Sequence, residues 1–215
     1  MNSRVAKLMA EAGYRPRGIV HVGAHAGQEM PHYLALEPAL IVWVEADPAL
    51  LPRLRGAVEA AASPISQLVV NALIADTDGQ ARAFHRFSNH GQSSSLFRAT
   101  RALQDRWPDV SETGEVLQLV SARLDTVLRA QGVAPADVDV LVLDMQGAEL
   151  MALAGAGDYL GGAEFVEVEA SQEEIYQGAP LADAIEAAMA DAGFERLTRI
   201  RWHGAVVFRR RAGAS

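Results

Sequence analysis

Short β-branched runs alternate along this chain with stretches whose apolar residues recur every three or four positions. Val5, Leu8, Met9 and Ala12 predict an amphipathic helix over 3–12, stopped by Gly13. Gly18 to Val22 reads as a buried first strand, and a helix is expected over 27–36 before Pro38. A second strand is predicted over 40–45. Asp47-Pro48 then opens a helix to about residue 62, with an N-cap acid and proline at the first position. Further strands are expected over 67–74, 81–87 and 116–120, with a turn at 76–79 and a short helix over 124–130.

Val138 to Leu143 is apolar throughout, as expected of a parallel strand buried on both faces. A helix over 148–154, a strand over 165–168 and a helix over 180–192 follow, the last stopped by Gly193. Residues 194–201 and 205–210 read as a hairpin joined at His203-Gly204. Residues 88–114 are the least regular part. The alternation predicts a doubly wound α/β domain with a parallel sheet and one antiparallel closing strand. With no repeat, low-complexity tract or linker in sight, one domain over 1–215 is expected, with 1–17 as a helical extension and 86–114 as a variable segment.

Half of the 215 residues are hydrophobic and 21% are charged, which argues for a sizeable core and against global disorder. Nineteen Lys and Arg against 27 Asp and Glu give a net charge of −8, the opposite of what phosphate neutralisation needs, so no nucleic-acid partner is expected. The absence of cysteine rules out disulfides and thiolate chemistry and fits a cytoplasmic location. No apolar run reaches the roughly 20 residues of a membrane helix, and the N-terminus lacks a signal-like apolar core.

In a doubly wound sheet, ligands bind beyond the carboxyl ends of the strands. Three segments should meet there. His21-Val22-Gly23-Ala24-His25-Ala26-Gly27 ends the first strand in glycines that allow close backbone approach. Glu45 follows Gly23 by 22 residues, near the ~20-residue offset of an acid that accepts ribose hydroxyls. NAD and S-adenosylmethionine both satisfy this pair. Asp144, after the most apolar strand, needs a ligand, cation or polar network to face, whereas Glu149 suits the positive end of its own helix.

These residues resemble the FkbM-type family of S-adenosylmethionine-dependent methyltransferases. The likeness is carried by 22–27, Glu45, 76–79, Ser93-Ser94-Ser95-Leu96, Leu124-Asp125, Leu143 to Glu149, 167–171 and Ile175 to Leu181. The Asp144-Met145-Gln146-Gly147-Ala148-Glu149 segment is the most specific. The resemblance implies the Rossmann-like class I methyltransferase sheet, seven strands with the last antiparallel. It implies S-adenosylmethionine held by His21, Gly23, Ala24, His25, Gly27, Glu45, Ala46, Leu73, Asp76, Ser94, Asp144, Met145 and Gln146. It also implies methyl transfer to a small-molecule hydroxyl acceptor on a sugar or natural product. Many relatives carry aspartate at the position of His21 and asparagine at that of His25.

Deprotonation of an aliphatic hydroxyl benefits from a base, for which Asp144 is the first candidate and His90 the second. His85 in its strand reads as structural, and His32 and His203 as structural or exposed. Glu167 and Glu169 share one face, and one of them should reach the site. Asp144 with either could hold magnesium or calcium. Carboxylates beside a cationic sulfonium account for the same residues without a metal, which is the expectation here. A non-catalytic cofactor-binding module that scaffolds a biosynthetic partner is the alternative from another class, and an NAD-dependent oxidoreductase ranks third. Oligomeric state is left open by the sequence.

Overall fold

A computed structural model describes residues 3–213; residues 1–2 and 214–215, the ends of the expected domain, lie outside the described residues. The strands β1 (Gly18–Val22), β2 (Leu40–Glu45) and β3 (Ser66–Asn71) pair in parallel from the centre of a seven-stranded sheet outwards. The β-strand numbering continues with β4 (Leu73–Ile74), β5 (Ala81–Phe87) and β6 (Glu112–Ala122), which form a separate three-stranded sheet. Then β7 (Val140–Leu143), β8 (Phe165–Ser171), β9 (Phe194–Arg196) and β10 (His203–Arg210) complete the main sheet in the order β3-β2-β1-β7-β8-β10-β9. β10 runs antiparallel to both of its neighbours, β8 and β9, as expected for the closing strand. Strand order reverses between β1 and β7, so the ligand crevice is predicted at their carboxyl ends.

The pleat sends alternate side chains to opposite faces. Val20, Val22, Leu141, Leu143, Val166 and Val168 face one helical layer, which contains α5 (Leu124–Ala130), α6 (Glu149–Gly155) and α8 (Ala182–Asp191). Ile19, Ile41, Trp43, Val140 and Val142 face the other, built from α1 (Arg4–Glu11), α2 (Met30–Leu34) and α3 (Leu51–Ala61). The short helix α7 (Asp158–Gly162) adds Tyr159 to the core of the first layer, and α4 (Arg101–Arg106) packs Leu103 into a separate small cluster with Phe87, Ile175 and Tyr176. Each fully buried Val, Leu or Ile contributes about 1.5–3 kcal/mol, so the uninterrupted β1 and β7 runs anchor the sheet.

Several expected boundaries move for identifiable reasons. The helix expected from residue 27 begins only at Met30, because His25 and Gly27 both take positive φ. Asp47 does not cap α3. Its carboxylate accepts the Ala49 N–H at 2.9 Å and pairs with the Arg86 guanidinium, tying β2 to β5. The single strand expected over 67–74 splits at Ala72, whose N–H turns back to the Glu45 carbonyl, and β4 joins β6 instead. The expected strand 116–120 is part of the longer β6, β8 extends to Ser171, and β10 begins at His203 rather than beyond it.

The N-terminal helix is fastened to the sheet by a buried acid. Glu167 accepts the Val5 N–H at 2.6 Å, and Ser3 caps α1 through the Ala6 N–H. Burial, reinforced by the charge of Glu29 and resisted by the backbone hydrogen bonds, pushes the Glu167 pKa up to about 7. A carboxyl whose pKa is higher folded than unfolded binds more protons in the folded state. The stability that Glu167 contributes is therefore full below about pH 4.5 and is lost as pH rises through about 7, by roughly 3 kcal/mol for a shift of this size. Urea unfolding at pH 5 and pH 8 should show a smaller decline in Glu167→Gln than in the wild type, with the buried Glu149 carboxyl adding a decline of its own; an unchanged pH dependence in the variant overturns the assignment.

Candidate active site

The crevice lies where the switch point places it. Gly23 follows β1 and Asp144 follows β7, and the two backbones touch. A Cβ on Gly23 would overlap the Asp144 carbonyl oxygen, and φ at Gly23 is +83°, so glycine is the residue this junction accepts. The N–H groups of Gly23 and Ala24 both donate to the Val44 carbonyl, at 2.9 and 3.0 Å, which locks the loop after β1 to the end of β2. Glu45 completes the lock. Its carboxylate accepts the His25 N–H at 2.7 Å and the Asp47 N–H at 2.8 Å while facing the crevice. Burial is the main cause that raises its pKa, against those two hydrogen bonds.

One half of the crevice is apolar. Leu73, Ile74, Phe84, Leu96 and Met145 make walls suited to a flat heterocycle, and Glu45 stands beside them with acceptor oxygens. Ala46, Ser94, His25 and Gln146 line the same space. Phe84, Gly91 and Gln92 are lining residues that the sequence motifs did not indicate. Phe84 could have been found from its inward phase on β5; the glycine and glutamine of the 88–95 turn carry no such signal.

Asp144 lines both the apolar crevice and a further cavity beneath α1. Gln146 bridges it to Glu169, its amide nitrogen lying 2.7 Å from Asp144 Oδ1 and 2.6 Å from Glu169 Oε2. The amide oxygen accepts the Tyr176 hydroxyl at 2.7 Å, and the Gln146 backbone carbonyl accepts the Ser95 hydroxyl at 2.6 Å. Burial, then the charge of Glu169, pushes the Asp144 pKa well above the usual carboxylate range. Glu149 is not merely at a helix start. It folds back to accept the Met145 and Gly147 N–H groups, and burial with Glu169 nearby raises its pKa to about 7.

The remaining expected residues are dispersed. His21 sits on the opposite side of Asp144, in a cavity shared with Glu29, Glu167 and Glu169 beneath α1. Its Nδ1 is 3.0 Å from the Tyr33 hydroxyl and its ring packs beside Trp43. Burial lowers its pKa to about 4, so it is neutral. Ala24 and Gly27 turn towards the hydrophobic layer rather than the crevice, Gly27 against Leu54 and Met30. Asp76 lies outside the crevice lining; it pairs with Arg82 and its carbonyl accepts from Arg123. The His90 side chain is exposed, and its carbonyl lies 2.9 Å from His25 Nε2. Of the two strand glutamates, Glu167 holds α1 and Glu169 reaches the network. Among the described residues, no group of three His, Cys, Asp or Glu side chains is arranged to hold a metal ion.

A second cavity adjoins the crevice through Gln92 and Gln146, which line both. Its walls are Trp107, Leu103 and Ile175 on one side and Asn89, Glu169 and His203 on the other. His203 was expected to be structural or exposed. It is instead half-enclosed here, its Nε2 lying 3.1 Å from Glu169 Oε1.

The family model of the FkbM methyltransferase domain matches residues 21–196. No curated protein sequence matches the chain at a significant level. Among solved structures, the chain is similar to magnesium protoporphyrin IX methyltransferase from Synechocystis PCC 6803 with bound S-adenosylmethionine. That match has TM-score 0.53 and 14% identity, and covers 96% of this chain and 76% of that one. A putative tRNA (m1A22) methyltransferase from Streptococcus pneumoniae, in complex with S-adenosylmethionine, matches with TM-score 0.52 and 15% identity over 98% of this chain and 73% of that one. A putative methyltransferase from Escherichia coli matches with TM-score 0.51 and 12% identity over 97% and 82%. The chain belongs to the FkbM family of S-adenosylmethionine-dependent methyltransferases.

The Gly23 junction makes a structural forecast. Gly23→Ala should destabilise by several kcal/mol or prevent folding, because the overlapping atom is backbone. Gly79→Ala has a similar φ of +75° but open space around it, and should cost about 1 kcal/mol. Comparable melting temperatures for the two variants would show that the junction relaxes.

Proposed function

We propose that this member of the FkbM methyltransferase family methylates a hydroxyl oxygen on a small ring-shaped acceptor, such as a sugar or a natural-product scaffold, in the cytoplasm. The observation that carries the reading is the position of the Asp144–Gln146–Glu169 chain, at the contact between the apolar crevice and the cavity beside Trp107. The residues present fit the cofactor. The apolar walls suit an adenine, the Glu45 oxygens suit the ribose hydroxyls, and Gly23 leaves room along the β1 loop. Bound there, S-adenosylmethionine supplies an electrophilic methyl group on a sulfonium centre.

The protein's own groups do the rest. Glu45 fixes the ribose end while holding two loop amides, so it positions the ligand and its own support at once. Asp144 presents a carboxyl beside the cationic centre and orients the acceptor hydroxyl. Trp107 offers an apolar face and Asn89 and Gln92 offer amides, a combination that matches a ring with C–H faces and hydroxyl edges. Holding the two reactants in line can supply much of the acceleration. Acceptors in this reading are small molecules; the chain's net charge of −8 does not favour nucleic acid.

Release of S-adenosylhomocysteine from S-adenosylmethionine, measured across a panel of methyl pyranosides with aliphatic amines and catechols as comparators, tests the reading. Turnover on amines alone overturns the hydroxyl assignment. Tight cofactor binding without any turnover would favour a scaffolding module instead. Glu45→Gln should weaken S-adenosylmethionine and S-adenosylhomocysteine alike, by about 1.5–3 kcal/mol in calorimetry, the scale of a hydrogen bond to a charged group. Equal affinity in the variant removes Glu45 from the ribose. Asp144 distinguishes the two ligands. Its raised pKa means that a bound cation must favour loss of its proton, so S-adenosylmethionine affinity should climb as pH rises through that pKa while that of the uncharged thioether changes little. Asp144→Asn should abolish the climb and lower turnover by about 10²-fold or more. Identical pH profiles for both ligands in the wild type count against the assignment.

A further inference from the structure

The cavity beneath α1, about 260 Å³, shares a wall with the apolar crevice. Asp144 lines both, and β1 with its loop gives His21 to the one and Val22 and Gly23 to the other. Four carboxyls line this cavity, and three of them already have donors. Glu167 accepts the Val5 N–H, Glu169 has Gln146 and His203, and Asp144 shares the Gln146 amide. Glu29 is the fourth. It stands at the start of α2, half-buried, yet its side chain makes no capping hydrogen bond to that helix. Burial raises its pKa, so a cation beside it would favour its charged form.

Arg4 is the one cation among the described lining residues. One of its guanidinium N–H groups donates to the carbonyl of Ala205, another lining residue, at 2.5 Å. A guanidinium carries several donors, and that bond uses one of them. The Arg4 charge also offsets part of the burial cost of Glu167. His21, the histidine on this cavity, is neutral, so it supplies no charge to balance a ligand's ammonium.

An acid without a cap to serve and a cation with spare donors, on one cavity that adjoins the crevice, match a zwitterion. We propose that Glu29 and Arg4 hold the amino-acid end of S-adenosylmethionine, Glu29 accepting from its ammonium and Arg4 donating to its carboxylate. This rests on placing the adenosine beside Glu45 in the crevice. The sulfonium then falls at Asp144, the wall common to both spaces, and the amino-acid chain runs on under α1. Arg4 belongs to α1 and Glu29 to the start of α2, so one ligand group ties the two helices together. The N-terminal helix is thereby part of the cofactor site, and its seat on Glu167 places Arg4 at the cavity.

Calorimetry on the whole chain with three thioethers tests the assignment. They are S-adenosylhomocysteine, its decarboxylated form S-adenosyl-3-thiopropylamine, and 5′-methylthioadenosine, which has no amino-acid end. The wild type should bind S-adenosylhomocysteine at least about tenfold more tightly than methylthioadenosine. Glu29→Gln should weaken S-adenosylhomocysteine and the amine by about tenfold or more, and leave methylthioadenosine within about threefold. Arg4→Gln keeps an amide donor for the Ala205 carbonyl. It should weaken S-adenosylhomocysteine about tenfold while the amine and methylthioadenosine stay within about threefold. Equal losses for S-adenosylhomocysteine and the amine in Arg4→Gln would reflect a loosened α1 and overturn the carboxylate contact. Equal wild-type affinity for S-adenosylhomocysteine and methylthioadenosine, or unchanged S-adenosylhomocysteine binding in Glu29→Gln, overturns the proposal. The crevice reading survives those results if Glu45→Gln still weakens all three ligands. Unchanged methylthioadenosine binding in Glu45→Gln is instead the failure of that reading, and takes the proposal with it.

Discussion

The contact between Gly23 and the Asp144 backbone is the constraint from which the rest of the site follows. Two parallel strands end side by side, and the chain leaves them in different directions over the same spot. The Asp144 N–H donates to the Val22 carbonyl at 3.0 Å, so the register of β1 against β7 runs one residue past the sheet into the crevice. The Gly23 and Ala24 amides extend the β1–β2 pairing in the same way. Three ligand-facing loops therefore inherit their positions from sheet hydrogen bonds rather than from flexible side chains. Precision at the site is a property of the sheet, and a single methyl group at Gly23 would disturb it.

The second organising feature is crowded negative charge. Burial, and then the charge of Glu169, raises the cost of ionising Asp144 and Glu149. The cluster is tolerable because each carboxyl has assigned donors. Glu149 takes the Met145 and Gly147 amides, Glu169 takes His203, and Gln146 divides its amide between Asp144 and Glu169. Such a site lowers its own electrostatic strain when a cation arrives, which is the physical complement of a sulfonium donor. It also explains why Gln146 adopts a φ of +54°: the strained backbone aims its amide between two acids, and Ser95 and Tyr176 hold it there.

The main sheet was legible because β1, β2 and β7 are short apolar runs with no competing helical reading, and the reversal of strand order follows from their connections. Elements whose ends depend on distant partners were less so. Asp47 looks like a helix cap in sequence, yet Arg86 from β5 claims its carboxylate. The short helix α7, Asp158–Gly162, ends in two glycines and carries no periodic signal. At the site, Glu45 and Asp144 stood out because an acid after an apolar strand needs a reason. Ala24, Gly27 and Asp76 matched a motif whose side chains here face the core or an ion pair. His203 was hidden for a topological reason: it reads as a turn residue until β8 extends to Ser171 and draws it into β10.

The two departures at His21 and His25 turn out to be unlike each other. Gln28 Oε1 accepts the Ala26 N–H, so the Gln28 amide nitrogen faces His25 Nδ1 at 2.7 Å and must donate to it. The proton of that imidazole then lies on Nε2, pointing at the His90 carbonyl. Both ring nitrogens are occupied, and neither is free to accept from the ammonium of a bound cofactor. What His25 does instead is fasten the 88–95 turn to the loop after β1, across the crevice that both line. His21 forms no such link; with Tyr33 and Trp43 it is part of the aromatic packing under α1. The histidine at position 25 thus couples the 88–95 turn to the backbone junction at Gly23, so the least regular part of the sequence is tied to its most constrained point.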